Sequence, residues 1–168
     1  MDFKNVLVHI TEIFAKSGYD FSTCGIDVKI NKRLTKTLGR CIGVWHGDLY
    51  IPQKIEFSAE LLTTSTDKSI IDVIYHECAH ALVGLETGEK HGHDAVFKAM
   101  CRRIGTDNDG ISTKVERTVE DTEIYKYFVY CNQCGQIVSK YRRAGNVVKH
   151  PECYHCKCGG SLRVVQNY

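Results

Sequence analysis

One stretch near the middle of the chain limits its fold more than any other. Residues 68–87 place Ile70, Ile71, Ile74, Tyr75, Cys78 and Leu82 at helical spacing on both sides of a helix, yet the same residues include His76, Glu77 and His80. A helix that is apolar on most sides has to be buried. A buried helix does not carry three polar groups without partners for them. The spacing therefore predicts a central helix over 68–87, capped at its start by Asp67 or Ser69 and ended by Gly84 or Gly88.

The partner implied is a metal ion. His76-Glu77-Cys78-Ala79-His80 has the form H-E-x-x-H. Residues four apart on a helix share a face, so both imidazoles reach one ion, while Glu77 points beside it and can take a proton from water. With eight His and ten Glu in 168 residues, chance supplies about 0.02 such matches. The plain alternative is two surface histidines on an ordinary helix, which the apolar surroundings disfavour. A catalytic zinc takes three protein ligands and keeps one position open. His91 and His93, in a loop rich in Gly and His, are the downstream candidates. His93 is preferred, because it directly precedes a second amphipathic helix over 94–104, with Val96, Phe97, Met100 and Ile104 on its apolar side. Glu77 is the expected general base. His9 and His46 are read as surface or packing residues.

The nine cysteines divide by position. Cys24, Cys41, Cys78 and Cys101 are scattered and read as small buried residues. Cys131, Cys134, Cys153, Cys156 and Cys158 crowd the last forty residues and read as a metal-site set. Cys131-Asn132-Gln133-Cys134-Gly135 is one knuckle. The second holds one cysteine too many. Cys156 with Cys158 puts glycine directly after the last ligand, as in the first knuckle; Cys153 with Cys156 has the commoner spacing but puts Lys157 there. The first pairing is favoured and the second stays open. Four thiolates close a site, so this zinc would be structural. Free thiols or a redox dithiol are the alternative. The chain is thus expected to hold two zinc ions, one catalytic and one structural.

Around these sites the texture is mixed. Residues 3–16 have the pattern of an amphipathic helix ended near Gly18. Ile26–Ile30, Cys41–His46, Leu49–Ile51 and Lys54–Phe57 read as strands of a small antiparallel sheet, punctuated by Gly39, His46-Gly47-Asp48 and Pro52. Ser58 can cap a short helix through Leu62. Two short hairpins carry the C-terminal cysteines. The expected organisation is a first domain over 1–105, a linker over 106–124 and a zinc ribbon over 125–168.

Charge follows that division. Residues 1–105 carry thirteen basic and thirteen acidic side chains, 106–124 two and six, and 125–168 seven and one. Four thiolates on a zinc would lower the tail's +6 to +4, a surface suited to an anionic partner. Lys140-Tyr141-Arg142-Arg143 and Lys149 fit phosphate contact with base stacking, and equally a solvated hairpin face. No apolar run reaches membrane-spanning length and no secretory signal is visible, which points to the cytoplasm, or to the nucleus in a eukaryotic host, and to no membrane partner.

These residues resemble the SprT-like metalloprotease family, whose animal members include Spartan. The likeness runs through Ile30-Asn31-Lys32-Arg33-Leu34, Thr37-Leu38-Gly39-Arg40-Cys41 and Ile55-Glu56-Phe57-Ser58. It continues in His76-Glu77-x-x-His80, His93 with Phe97, Cys131-x-x-Cys134-Gly135 and Tyr154-x-Cys156-x-Cys158-x-Gly160-x-Leu162. The family usually has Gly after the third histidine, where Asp94 stands here, and Cys156-x-Cys158 is shorter than its usual knuckle. The resemblance implies an α+β, zincin-like protease domain with a C-terminal zinc ribbon. It also implies peptidase activity on DNA-associated proteins, notably those crosslinked to DNA, with non-specific single- or double-stranded DNA as partner and DNA repair as context. Against this stand two other classes: a nucleic-acid-binding zinc protein with an idle SprT-like fold, and a metal-stabilised adaptor that binds protein through the acidic 106–124 stretch. The intact Glu77 favours the enzyme, since a structural site needs no general base.

Overall fold

The computed structural model describes residues 1–106, 115–120 and 124–168. It forms two compact units, Met1–Thr118 and Val119–Tyr168. Most of the stretch expected as linker, and with it the acidic surface of the adaptor reading, lies outside the described residues. Part of the remainder belongs to the first unit. Thr66 N donates to Glu116 O, Thr118 N to Thr64 O, and Ser65 pairs with Arg117.

In the first unit, α1 (Phe3–Lys16) is capped by Asp2, whose side chain accepts from Asn5 N. It buries Val6, Ile10, Ile13 and Phe14 and leaves Phe3 exposed. Next come β1 (Asp27–Asn31), β2 (Gly39–His46) and β3 (Leu49–Ser58). The sheet is mixed rather than antiparallel: its order is β1-β3-β2, with β1 parallel and β2 antiparallel to β3. The 32–38 segment carries the chain past β3's position, and β3 then returns between the two earlier strands. Leu49–Ile51 and Lys54–Phe57 are one strand, and Pro52 lies inside it instead of breaking it. Pro52 pairs with Gly43 at a register shift, a bulge that accommodates the missing N–H.

Ser58 caps α2 (Ala59–Thr64) through Leu61 N. The central helix is α3 (Asp67–Thr87). Its cap is Thr66, not Asp67 or Ser69; the Thr66 hydroxyl accepts from Ser69 N at 3.3 Å. Gly88, at φ 67°, ends it in the left-handed conformation that glycine adopts at no steric cost. α4 (Ala95–Ile104) follows. α3 packs against α1, α4, β2 and β3. Ile70, Ile74, Cys78 and Leu82 of α3 meet Ile10 and Phe14 of α1, Ile55 and Phe57 of β3, and Phe97, Cys101 and Ile104 of α4 in one core. Burying each large side chain here contributes about 1.5–3 kcal/mol, so α3 is fixed firmly enough to serve as the base of a site. Cys78 and Cys101 are buried as expected, whereas Cys24 and Cys41 are only partly covered.

The second unit is a three-stranded antiparallel sheet of β4 (Tyr127–Cys131), β5 (Ile137–Tyr141) and β6 (Leu162–Gln166), ordered β5-β4-β6. The two cysteine-bearing segments therefore share a central strand rather than forming separate hairpins. A one-turn helix, Asn146–Lys149, and a 3-10 turn, Pro151–Cys153, lie between β5 and β6. Among the described residues no helix is long and apolar enough to cross a membrane.

Candidate metal centre and catalytic cleft

α3 puts His76 and His80 one turn apart, and the N-terminal approach to α4 brings His93 to them. Ligand nitrogens of the three all lie within 4.8 Å of one another. His93 Nε2 and His76 Nε2 are 3.2 Å apart. Phe97, fully buried one turn into α4, lies beneath all three imidazoles, with ring centroids 5.2, 4.2 and 5.0 Å from His76, His80 and His93. Burial first, then the neighbouring His76 and His93, push His80 down to about 3. It is therefore neutral at physiological pH, the form that binds metal. Three imidazoles converging within 4.8 Å can hold a metal ion, and a three-nitrogen set suits zinc.

His91 lies outside this trio. Its Nδ1 pairs with Asp94 Oδ2 at 2.7 Å, and its backbone bonds to His80. Asp94 also caps α4 by accepting from Val96 N and Phe97 N, both at 3.1 Å. That double use accounts for an aspartate where the family pattern has glycine: one side chain starts α4 and ties down the loop that delivers His93.

Glu77, on the same helix and lining the same cleft, is 6% exposed, and its carboxylate accepts from the Cys41 backbone N–H. Burial pushes its carboxyl up to about 8, with the Cys41 N–H pulling the other way. A carboxyl poised near neutrality can both take and return a proton. The cleft has a volume of about 340 Å³ and is walled by Gly39, Arg40, Cys41, Tyr50, Lys90 and Gly92 together with the histidines and Glu77. Pattern and spacing did not single out these wall residues. The available signal was the Thr37–Cys41 segment of the family resemblance.

Three of the resemblance segments meet at one point. Glu56 Oε2 on β3 accepts from Asn31 Nδ2 of β1 at 2.9 Å and from Arg40 of β2, Nε at 2.8 Å and a terminal nitrogen at 2.7 Å. The Asn31 amide and then Arg40 hold the Glu56 carboxyl below its usual range despite its burial. The network fixes β2 where Gly39 and Cys41 meet Glu77.

In the second unit the four sulfurs of Cys131, Cys134, Cys156 and Cys158 lie within 4.8 Å of one another, and Cys153 is outside that group. Cys131 Sγ and Cys158 Sγ are 3.5 Å apart, and Cys134 Sγ and Cys156 Sγ 3.8 Å. Both distances far exceed a disulfide bond of about 2.05 Å. N–H groups of Cys134 and Gln133 point at Cys131 Sγ and pull its thiol down to about 6. At Cys158 the Gly160 N–H pulls down, but its bonds to the Cys131 and Cys156 thiols outweigh it, and the group rises to about 11. A Cβ on Gly160 would lie 2.6 Å from Cys131 Sγ, so only glycine fits there. Four converging sulfurs with amides aimed at them can hold a soft, tetrahedral ion such as zinc.

The SprT-like family profile matches residues 5–119. Two strains of Staphylococcus epidermidis each have a protein named "Protein SprT-like" that is 31% identical over 142 residues, 83% of this chain and 82% of that protein. A protein of the same name from Staphylococcus saprophyticus is 28% identical over 137 residues, 82% of this chain and 80% of that protein.

Proposed function

The chain belongs to the SprT-like family, and from that premise we propose that it is a zinc-dependent metallopeptidase of zincin type that hydrolyses protein substrates. The observation that carries this reading is the placement of a buried carboxyl, Glu77, beside three converging imidazoles in one cleft. His76, His80 and His93 would hold the catalytic zinc, and Cys131, Cys134, Cys156 and Cys158 the structural one. A zinc ion in the histidine site would supply Lewis acidity toward the substrate carbonyl and toward water.

The chain's own residues supply the rest. Glu77 takes a proton from the attacking water as a bond forms between the water oxygen and the carbonyl carbon. It then hands that proton to the leaving nitrogen as the C–N bond breaks. Burial of Glu77 and its bond from Cys41 N–H hold the carboxyl in place for both transfers. Phe97 keeps the imidazoles in register from below.

Substrates held on DNA fit the second unit. Arg142 lies over Tyr125 at 5.7 Å and Arg163 over Tyr130 at 5.1 Å, both tyrosines being partly exposed. Cations laid beside aromatic faces suit phosphate contact combined with base stacking. The same feature supports the other reading, a nucleic-acid-binding protein with an idle protease fold, set in the cytoplasm or the nucleus.

Glu77→Gln separates the two. It should keep two zinc ions per chain by metal analysis and lose about 10²–10⁴-fold of proteolytic rate. A variant that cleaves as well as an active wild type would remove Glu77 as the general base, whereas a wild type that cleaves nothing with both sites filled would leave the idle-fold reading standing.

A further inference from the structure

Tyr50, at the start of β3, is housed in a way that packing alone does not explain. A Cβ on Gly43 of β2 would lie 2.5 Å from Tyr50 Cζ, and a Cβ on Gly84 of α3 would lie 3.2 Å from its Cδ1 and Cε1. Two glycines on two elements thus leave room for one ring. Gly84 is one turn beyond His80, so the ring lies on the face of α3 that carries the metal ligands. Tyr50 N donates to Gly88 O at 2.6 Å, tying the residue to the end of the same helix. Tyr50 is 5% exposed, yet it walls the same cleft as His76, Glu77 and His80.

The hydroxyl is the informative part. The Gly43 N–H donates to the phenol oxygen, and the nearby Cys41 thiol is another wall of the cleft. Burial, foremost, keeps the phenol protonated. A tyrosine hydroxyl has one donor and two acceptor positions. Here an acceptor position is used, and among the described residues nothing takes the hydrogen. The ring is buried, but the hydroxyl is not among the buried side-chain atoms that lack a partner, and the residue walls the open cleft, so its hydrogen faces whatever occupies that cleft.

We propose that Tyr50 is a catalytic residue whose hydroxyl donates a hydrogen bond to the carbonyl oxygen of the scissile peptide as negative charge builds on it. This rests on the peptidase reading above and adds a donor to it. Glu77 handles the water's proton, while Tyr50 stabilises the opposite, oxygen side of the reacting carbonyl. A donor fixed in advance by Gly43 and Gly84 needs no reorganisation at the moment of reaction.

The test is Tyr50→Phe, which keeps the ring and removes only the hydroxyl. Two readouts are taken on zinc-loaded protein: steady-state proteolysis of an unfolded protein, and calorimetric binding of acetohydroxamate. His93→Ala serves as the blank for any binding at the thiolate site. The expected result is a kcat lower by about 10²-fold with KM nearly unchanged, and hydroxamate affinity weaker by about 5- to 10-fold. Tyr50→Phe with wild-type kcat, or with wild-type hydroxamate affinity, overturns the proposal. If the wild type itself fails to cleave, the peptidase reading falls, and the hydroxamate comparison still decides whether Tyr50 donates to a ligand in the cleft.

Discussion

Gly39 and Glu77 meet with no room between them: a Cβ on Gly39 would stand 2.8 Å from both Cγ and Oε1 of Glu77. The bare backbone of β2 is thus the wall against which the proposed general base rests. Gly39→Ala should push the Glu77 carboxyl off its bond with Cys41 N–H. A misplacement of this size should lower kcat by about 10²-fold while the protein still binds two zinc ions. Proteolysis alongside metal analysis checks this, and an alanine variant as active as wild type would show that Glu77 has another place to stand.

The assignment of His93 as third ligand makes a stoichiometric prediction. His93→Ala should lose the zinc of the histidine site and retain the one held by the thiolates, giving one ion per chain. His91→Ala should retain both, because His91 pairs with Asp94 instead. Metal content after gel filtration distinguishes them; the reverse pattern would move the ligand to His91.

Helices α1, α3 and α4 were legible because their apolar residues recur at helical spacing, and Gly88 was one of the two ends read for α3. The approach of three histidines was legible in part, from the four-residue spacing of His76 and His80. The strand order was not. That β3 lies between β1 and β2 is decided by pairing across the sheet, which no local pattern encodes. Pro52 misled for a related reason: the bulge that tolerates it depends on Gly43, nine residues earlier. Gly39 and Gly84 read as turn and helix-end punctuation and Gly43 as one residue of a strand, yet each marks a place where another element comes too close for a side chain.

Acid should weaken the first unit through Glu56. Its carboxyl is held below the usual range by Asn31 and Arg40. A group with a depressed folded pKa stabilises fully above its unfolded value, near 4.5, and that contribution is lost as pH falls through the folded value. Glu56→Gln should cost about 1–2 kcal/mol at pH 7, discounted from a fully buried pair because Arg40 is half exposed. The gap between variant and wild type should close as pH drops below 4.5. Urea titrations across that range measure it, and a gap that widens in acid would contradict the sign.

DNA binding should map to the second unit. Replacing Arg142 and Arg143 with Glu should weaken binding and remove any stimulation of cleavage by DNA, leaving zinc content unchanged. Fluorescence anisotropy at several salt concentrations should give a log–log slope near −0.7 to −0.9 per phosphate contact. Equal affinity for wild type and variant, or no salt dependence, would exclude these arginines as phosphate contacts.

The placement of β3 also bears on how the first unit is made. β1 and β2 leave the ribosome before it, and in the sheet they touch β3 but not each other. Neither can settle until the strand made last slides between them, and Glu56 arrives on that strand to find Asn31 and Arg40 waiting on either side. During synthesis the nascent chain therefore exposes two unmatched strand edges for as long as residues 49–58 take to emerge, a window in which such edges invite mispairing with other chains.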